Sequence, residues 1–138
     1  MRSVVPVLMI AALAGCNATS ERMAVTAQAD AQTRLDKLLA GKVPGRPQSC
    51  LPNYRANDMI VIDDYTIAFR EGTKRVWINK PAGGCNLLGS GPYALVTRSV
   101  GGLGLCHGDI GTVTDTLNHT TVGSCVFSDF VPYTRLGR

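Results

Sequence analysis

Tyr65-Thr66-Ile67-Ala68-Phe69-Arg70-Glu71-Gly72-Thr73-Lys74-Arg75-Val76-Trp77-Ile78-Asn79 is the stretch that decides the fold class. Tyr65, Ile67 and Phe69 alternate with Thr66, Ala68 and Arg70, the two-residue period of a strand with one face turned inward. Glu71-Gly72-Thr73 supplies a short hairpin loop. On the return strand Val76 and Ile78 share one face, while Arg75, Trp77 and Asn79 share the other. This places Trp77 either at the surface, as an anchor for a partner or a glycan, or against a helix.

Working outward, the uninterrupted apolar run 59–62 predicts a buried strand, and Asp63-Asp64 a turn or bulge. Downstream, Pro81-Ala82-Gly83-Gly84 and Gly89-Ser90-Gly91-Pro92 read as loops. Strands are expected over 93–100, 110–114 and 120–127, with Gly101-Gly102 as a turn. Five to seven short strands of this kind predict a mainly β domain over 48–138, a small antiparallel barrel or sandwich. Upstream, the leucines at 35, 38 and 39, with Ala31, form an apolar stripe at helical spacing and predict a helix over 24–40 that docks on the domain. Ser20 fits an N-cap, with Glu21 in the first turn, and Gly41 fits the left-handed stop. Residues 43–52, rich in proline, read as a linker.

The chain has 138 residues, 45% of them hydrophobic, with 15 glycines, 7 prolines and a formal charge of +4. That length accommodates one domain and a tether. Its basic residues are scattered rather than clustered on one face or interleaved with stacking aromatics, so nucleic acid is not an expected partner.

Residues 1–15 join a short positive start, an apolar run from Val4 to Leu13, and two small residues. This is the layout of an export signal. The run is too short to span a bilayer, which takes about 20 residues. Leu13-Ala14-Gly15-Cys16 resembles the lipobox of bacterial lipoproteins. The resemblance implies cleavage before Cys16, a diacylglycerol thioether on its sulfur, and residues 16–47 as lipidated terminus, helix and linker. A thiolate is the side chain most readily alkylated near neutral pH. Membrane attachment is therefore expected through lipid on Cys16. Asn17, where an aspartate favours inner-membrane retention in enterobacteria, leans towards the outer membrane.

Cys50, Cys85, Cys106 and Cys125 remain, an even number that predicts two disulfides in an exported small domain. Three pairings are open; Cys85–Cys106 with Cys50–Cys125 is favoured because each pair ties segments flanking a group of strands. Loops of those sizes contribute roughly 3 and 4.5 kcal/mol on the chain-entropy argument. No Cys-x-x-Cys occurs, and the spacings do not suit a structural zinc site. Cys106 beside His107 invites a thiol nucleophile, but neighbours on a strand point to opposite faces. His107, Asp109 and His119 make an acid–base or metal site only if turns unite them. Asp63-Asp64 as a glycosidase pair is less economical than a turn. Gly101-Gly102-Leu103-Gly104 lacks the Lys and Ser/Thr of a phosphate loop. No cofactor and no catalytic residue are expected.

Cys50, Ile62-Asp63-Asp64 leading to Ile67, Cys85, Leu105-Cys106 with Gly108-Asp109-Ile110, and Cys125 followed by Phe130-Val131-Pro132 are together similar to an uncharacterised family of proteobacterial lipoproteins carrying a domain of unknown function. The resemblance covers about 48–132. It implies an envelope address and a four-cysteine periplasmic domain, and no activity. The expectation is a non-enzymatic module that binds or braces an envelope protein or cell-wall component. The alternative is a periplasmic inhibitor or ligand binder presenting Gly89-Ser90-Gly91-Pro92-Tyr93 as a probe loop.

Overall fold

Between Gly15 and Gly41 no residue breaks a helix, and the chain takes one over Gly15–Leu39, α1. The computed structural model describes residues 15–52, 58–98 and 104–137. Residues 1–14 of the expected export signal and the glycine turn at 101–102 lie outside the described residues, as does the end of the strand expected over 93–100. α1 begins nine residues before its expected start. Gly41, at φ +68°, ends it as expected, and Lys42 Nζ donates to the Leu38 carbonyl at 2.8 Å, satisfying one of the end carbonyls.

Ten strands follow among the described residues: β1 Lys42–Pro44, β2 Cys50–Leu51, β3 Met59–Asp63, β4 Thr66–Glu71, β5 Arg75–Asn79, β6 Tyr93–Thr97, β7 Leu105–Cys106, β8 Ile110–Asp115, β9 Thr121–Val126 and β10 Phe130–Arg135. They build a five-stranded sheet in the order β1-β10-β5-β4-β3, a three-stranded sheet β6-β8-β9, and the pair β2-β7, all antiparallel. The expected hairpin is β4–β5, with Phe69 opposite Trp77 and Glu71 opposite Arg75. The architecture is a sandwich rather than a closed barrel.

Three layers result: α1, the five-stranded sheet, and the three-stranded sheet. Ala31, Leu35, Leu38 and Leu39 of α1 pack on Ile62, Ala68, Val76 and Ile78, so the leucine stripe docks as its spacing predicts. On the other face Ile67, Phe69, Trp77 and Phe130 meet Leu95, Val113, Cys125 and Phe127. The central sheet is thus buried on both sides, and the expectation of one inward face is corrected. Trp77, expected at the surface or under the helix, lies 2% exposed on the face away from α1. Its Nε1 donates to Glu71 Oε2 at 2.7 Å, satisfying the buried donor. Tyr65, expected to point inward, precedes β4 and is 61% exposed.

A strand beyond the expected ones follows Phe127. The chain returns to the first sheet, and β10 inserts between β1 and β5. Pro132 fits inside this strand because Phe130 and Pro132 turn their polar groups toward the β1 side. There Gly45 N donates to the Pro132 carbonyl at 2.7 Å, and Gln48 exchanges 2.8 Å bonds with Phe130. The missing proline N–H therefore falls where the ladder is already broken, between Pro44 and Gln48. The expected linker 43–52 holds β1, β2 and the Gln48 bridge. At the crossover Asn79, fully buried, donates through Nδ2 to the Ser128 and Asp129 carbonyls (2.6 and 3.3 Å) and accepts the Ser128 amide at 3.4 Å. A buried amide with all sides engaged fixes this turn.

Two disulfides form, but the favoured pairing is corrected: the bonds are Cys50–Cys106 and Cys85–Cys125. The β2–β7 register sets Cys50 directly opposite Cys106. The loop after β5 runs along β9 through an Ala82–Val126 bridge, which brings Cys85 to Cys125.

The β8–β9 turn is organised by Asp115. Its Oδ1 accepts the amides of Leu117 and Asn118 at 2.8 and 3.2 Å, and its Oδ2 accepts the Asn118 side chain at 3.1 Å. The Leu117 amide foremost, then that of Asn118, holds the carboxyl below its ordinary 3.8. A depressed folded value means the turn's contribution is present above the unfolded value and is lost as pH falls through the lowered one. Carboxyl NMR titration should give Asp115 a midpoint below 3.8, and the Leu117 and Asn118 amide resonances should move with it; a midpoint at or above that value would contradict the turn.

Candidate functional site

A groove of about 760 Å³ runs between α1 and the β3–β4 turn. Pockets for small ligands span roughly 300–1,000 Å³. Its floor is apolar and made of small side chains, Ala27 and Ala31 of α1 with Ile62 of β3. Arg34 Nη2 donates to the Ile62 carbonyl and pins the helix to the sheet.

The opposite wall is built on Asp63 and Asp64. Asp63 Oδ1 accepts the Tyr65 amide at 2.8 Å, tightening the turn. Asp64 reaches across to the loop between β5 and β6, accepting the Gly89 amide at 2.6 Å and the Leu87 amide at 3.2 Å. Its own carbonyl accepts the Cys85 amide at 2.6 Å. Both carboxylates therefore hold backbone, as the turn reading of this pair requires, and the loop expected as a probe is drawn back so that Gly89 and Ser90 line the groove. Gly84, at φ +76°, makes room for the Tyr65 ring: a Cβ there would lie 2.6 Å from Tyr65 Cε1. The ring is thereby positioned by Gly84 while most of its surface stays open to solvent.

Around this floor Gln28, Asp30 and Lys37 of α1 and the Tyr65 hydroxyl project as exposed polar groups. In sequence they look like the solvated side of an amphipathic helix and the end of a strand. The one signal that could have singled them out is the spacing of Asp30, Arg34 and Lys37, which sets all three on one helix face.

The other sequence candidates are dispersed. His107 Nδ1 lies 2.7 Å from Asp129 Oδ1, an exposed pair beside the Cys50–Cys106 bridge. Asp109 Oδ2 instead accepts the Cys106 amide at 2.7 Å. His119 sits in the β8–β9 turn, at the other end of β8, about 17 Å along a six-residue strand. Turns do not unite the three residues. Cys106 is bonded to Cys50 and offers no thiolate. Among the described residues no three His, Cys, Asp or Glu side chains gather as a metal site, and no helix is long and apolar enough to cross a membrane. Cys16 lies in the first turn of α1.

Compared with known proteins, the chain matches no protein-family model, no curated protein and no solved structure.

Proposed function

We propose that this chain is an envelope lipoprotein, acylated on Cys16, whose disulfide-braced sandwich is a non-enzymatic binding module facing the periplasm, in the outer membrane. The observation that carries the address is Leu13-Ala14-Gly15-Cys16 behind an apolar run, with the other four cysteines paired in the fold. Paired sulfurs suit an oxidising compartment. Binding is supported by the groove beside α1, whose exposed polar groups surround an apolar floor. Its partner is an envelope protein or a cell-wall component, and the ligand-binding alternative uses the same groove, since the loop expected as a probe forms one wall.

Expression of the full chain in a bacterial host tests the address. Intact mass should show loss of the first fifteen residues and addition of acyl chains, and the protein should partition into detergent. Cys16→Ser should abolish both. Recovery of the uncleaved, unacylated chain from the aqueous phase would overturn the reading.

A further inference from the structure

We infer that β6, Tyr93–Thr97, is a docking edge for a second copy of this chain: two β6 strands pair antiparallel about a twofold at Leu95 and join the two three-stranded sheets into one of six strands. The inference goes beyond the binding-module reading and makes no use of the groove beside α1.

The outer strand of a sheet carries unpaired amides and carbonyls, and proteins blunt such edges with shortness, charge, proline, bulges or a covering segment. Three of the four edges of the two larger sheets are blunted in these ways. β1 is three residues long and contains Lys42 and Pro44. β3 is bulged between Val61 and Asp63, and Arg34 takes its Ile62 carbonyl. β9 carries an extra residue in its pairing with β8, and Ala82 donates to its Val126 carbonyl at 3.0 Å. β6 has none of these devices: it is uncharged, free of proline and in unbroken register with β8.

The ladder fixes which backbone groups of β6 face outward. Thr116 N donates to the Pro92 carbonyl at 2.9 Å, so the pairs bonded to β8 are Pro92–Thr116, Ala94–Thr114 and Val96–Thr112. The Leu95 amide and carbonyl therefore point away from β8, and they make no hydrogen bond among the described residues. Leu95 is only 7% exposed, and backbone groups left unpaired in such a place cost free energy. A second β6 satisfies both, because Leu95 and its twofold mate exchange N–H to carbonyl bonds. In that register Ala94 falls opposite Val96 of the second copy, and Tyr93 opposite Thr97. Arg98, the first charge after the strand, falls opposite Pro92 and not opposite another Arg98. The edge is thus complementary to itself, whereas a charged segment would lay its charge along an uncharged strand. Five residues a side make a small contact, so the association is weak and depends on concentration.

Amide hydrogen exchange and sedimentation equilibrium of the full chain, with detergent micelles in excess over protein, test the pairing; the probe is the protein itself. As concentration rises from micromolar to millimolar, the mass should climb from one copy towards two. The Leu95 amide should gain about tenfold protection over that range, while the Ala94 and Val96 amides, already bonded to β8, keep theirs. Ala94→Lys combined with Val96→Lys sets two like-charged pairs across the seam and should weaken association roughly five- to thirtyfold. Ala94→Lys combined with Val96→Glu gives both pairs opposite charges and should recover it. Ala94 and Val96 are exposed, Val96 by 48%, so both variants should keep the far-UV spectrum of the parent. A protein that stays single at millimolar concentration, a Leu95 amide indifferent to concentration, or equal association of the two double variants would each overturn the inference.

Discussion

Phe127→Ala should lower the unfolding free energy by about 3–5 kcal/mol, the usual loss for an aromatic deleted from a packed core. Phe127 is fully buried where the chain leaves the three-stranded sheet for the five-stranded one. Its ring lies 6.1 Å from that of Phe130, stacked, and 6.4 Å from that of Phe69, tilted. The same residue closes two backbone bonds, its carbonyl accepting the Gly108 amide at 2.9 Å and its amide donating to the Asp109 carbonyl at 3.0 Å. Truncation therefore empties the seam between the two sheets while leaving the polypeptide path intact. Against a total of about 5–15 kcal/mol for a domain, this is a fifth of the stability or more. Denaturant unfolding should show a lower midpoint with an unchanged slope. A loss under about 1 kcal/mol would mean that the sheets do not meet through this ring.

Replacing both Cys85 and Cys125 by alanine should cost about 4 kcal/mol from the freed loop alone, plus the contacts of two buried sulfurs. The Cys50–Cys106 bridge spans 56 residues against 40, and the logarithmic dependence makes its loop contribution the same within about 0.3 kcal/mol. The two bonds differ in access instead. Cys85 and Cys125 are 0% and 4% exposed, whereas Cys50 and Cys106 are half-buried. A mild reductant followed by alkylation should label Cys50 and Cys106 first, and peptide mapping of the oxidised protein should recover only the 50–106 and 85–125 crosslinks. A Cys85–Cys106 peptide would contradict the sheet register.

What was legible in the chain was whatever a local period encodes. The β4–β5 hairpin and the docking face of α1 follow from spacings of two and of three to four residues, and both stand as read. α1 is longer than expected because the residues before Ala24 carry no apolar stripe in sequence; residues 19–23 are exposed, so no docked face marks the helix there. Trp77 was misplaced because alternation reports two faces without saying that both are covered. β10 was missed although Phe130, Val131, Tyr133 and Thr134 are good strand residues. Pro132 argues against an interior strand there, and the break in the neighbouring ladder that accommodates it is visible only in three dimensions. The disulfide pairing depends on register between segments 40 and 56 residues apart, for which no local signal exists. The groove arises from the meeting of α1, a turn and a distant loop, none of which refers to the others in sequence. By contrast Asp63-Asp64 was correctly a turn, and the structure adds that this turn reaches across to anchor a second loop.

The interior place of β10 bears on the order in which the protein can be made. Its neighbours in the sheet lie some fifty and ninety residues earlier, and until β10 is available the exposed flank of β5 has no native strand to join. A chain not yet folded must therefore keep those aliphatic surfaces from sticking to other molecules. Assembly of the whole domain becomes a late, all-at-once event governed by distant contacts.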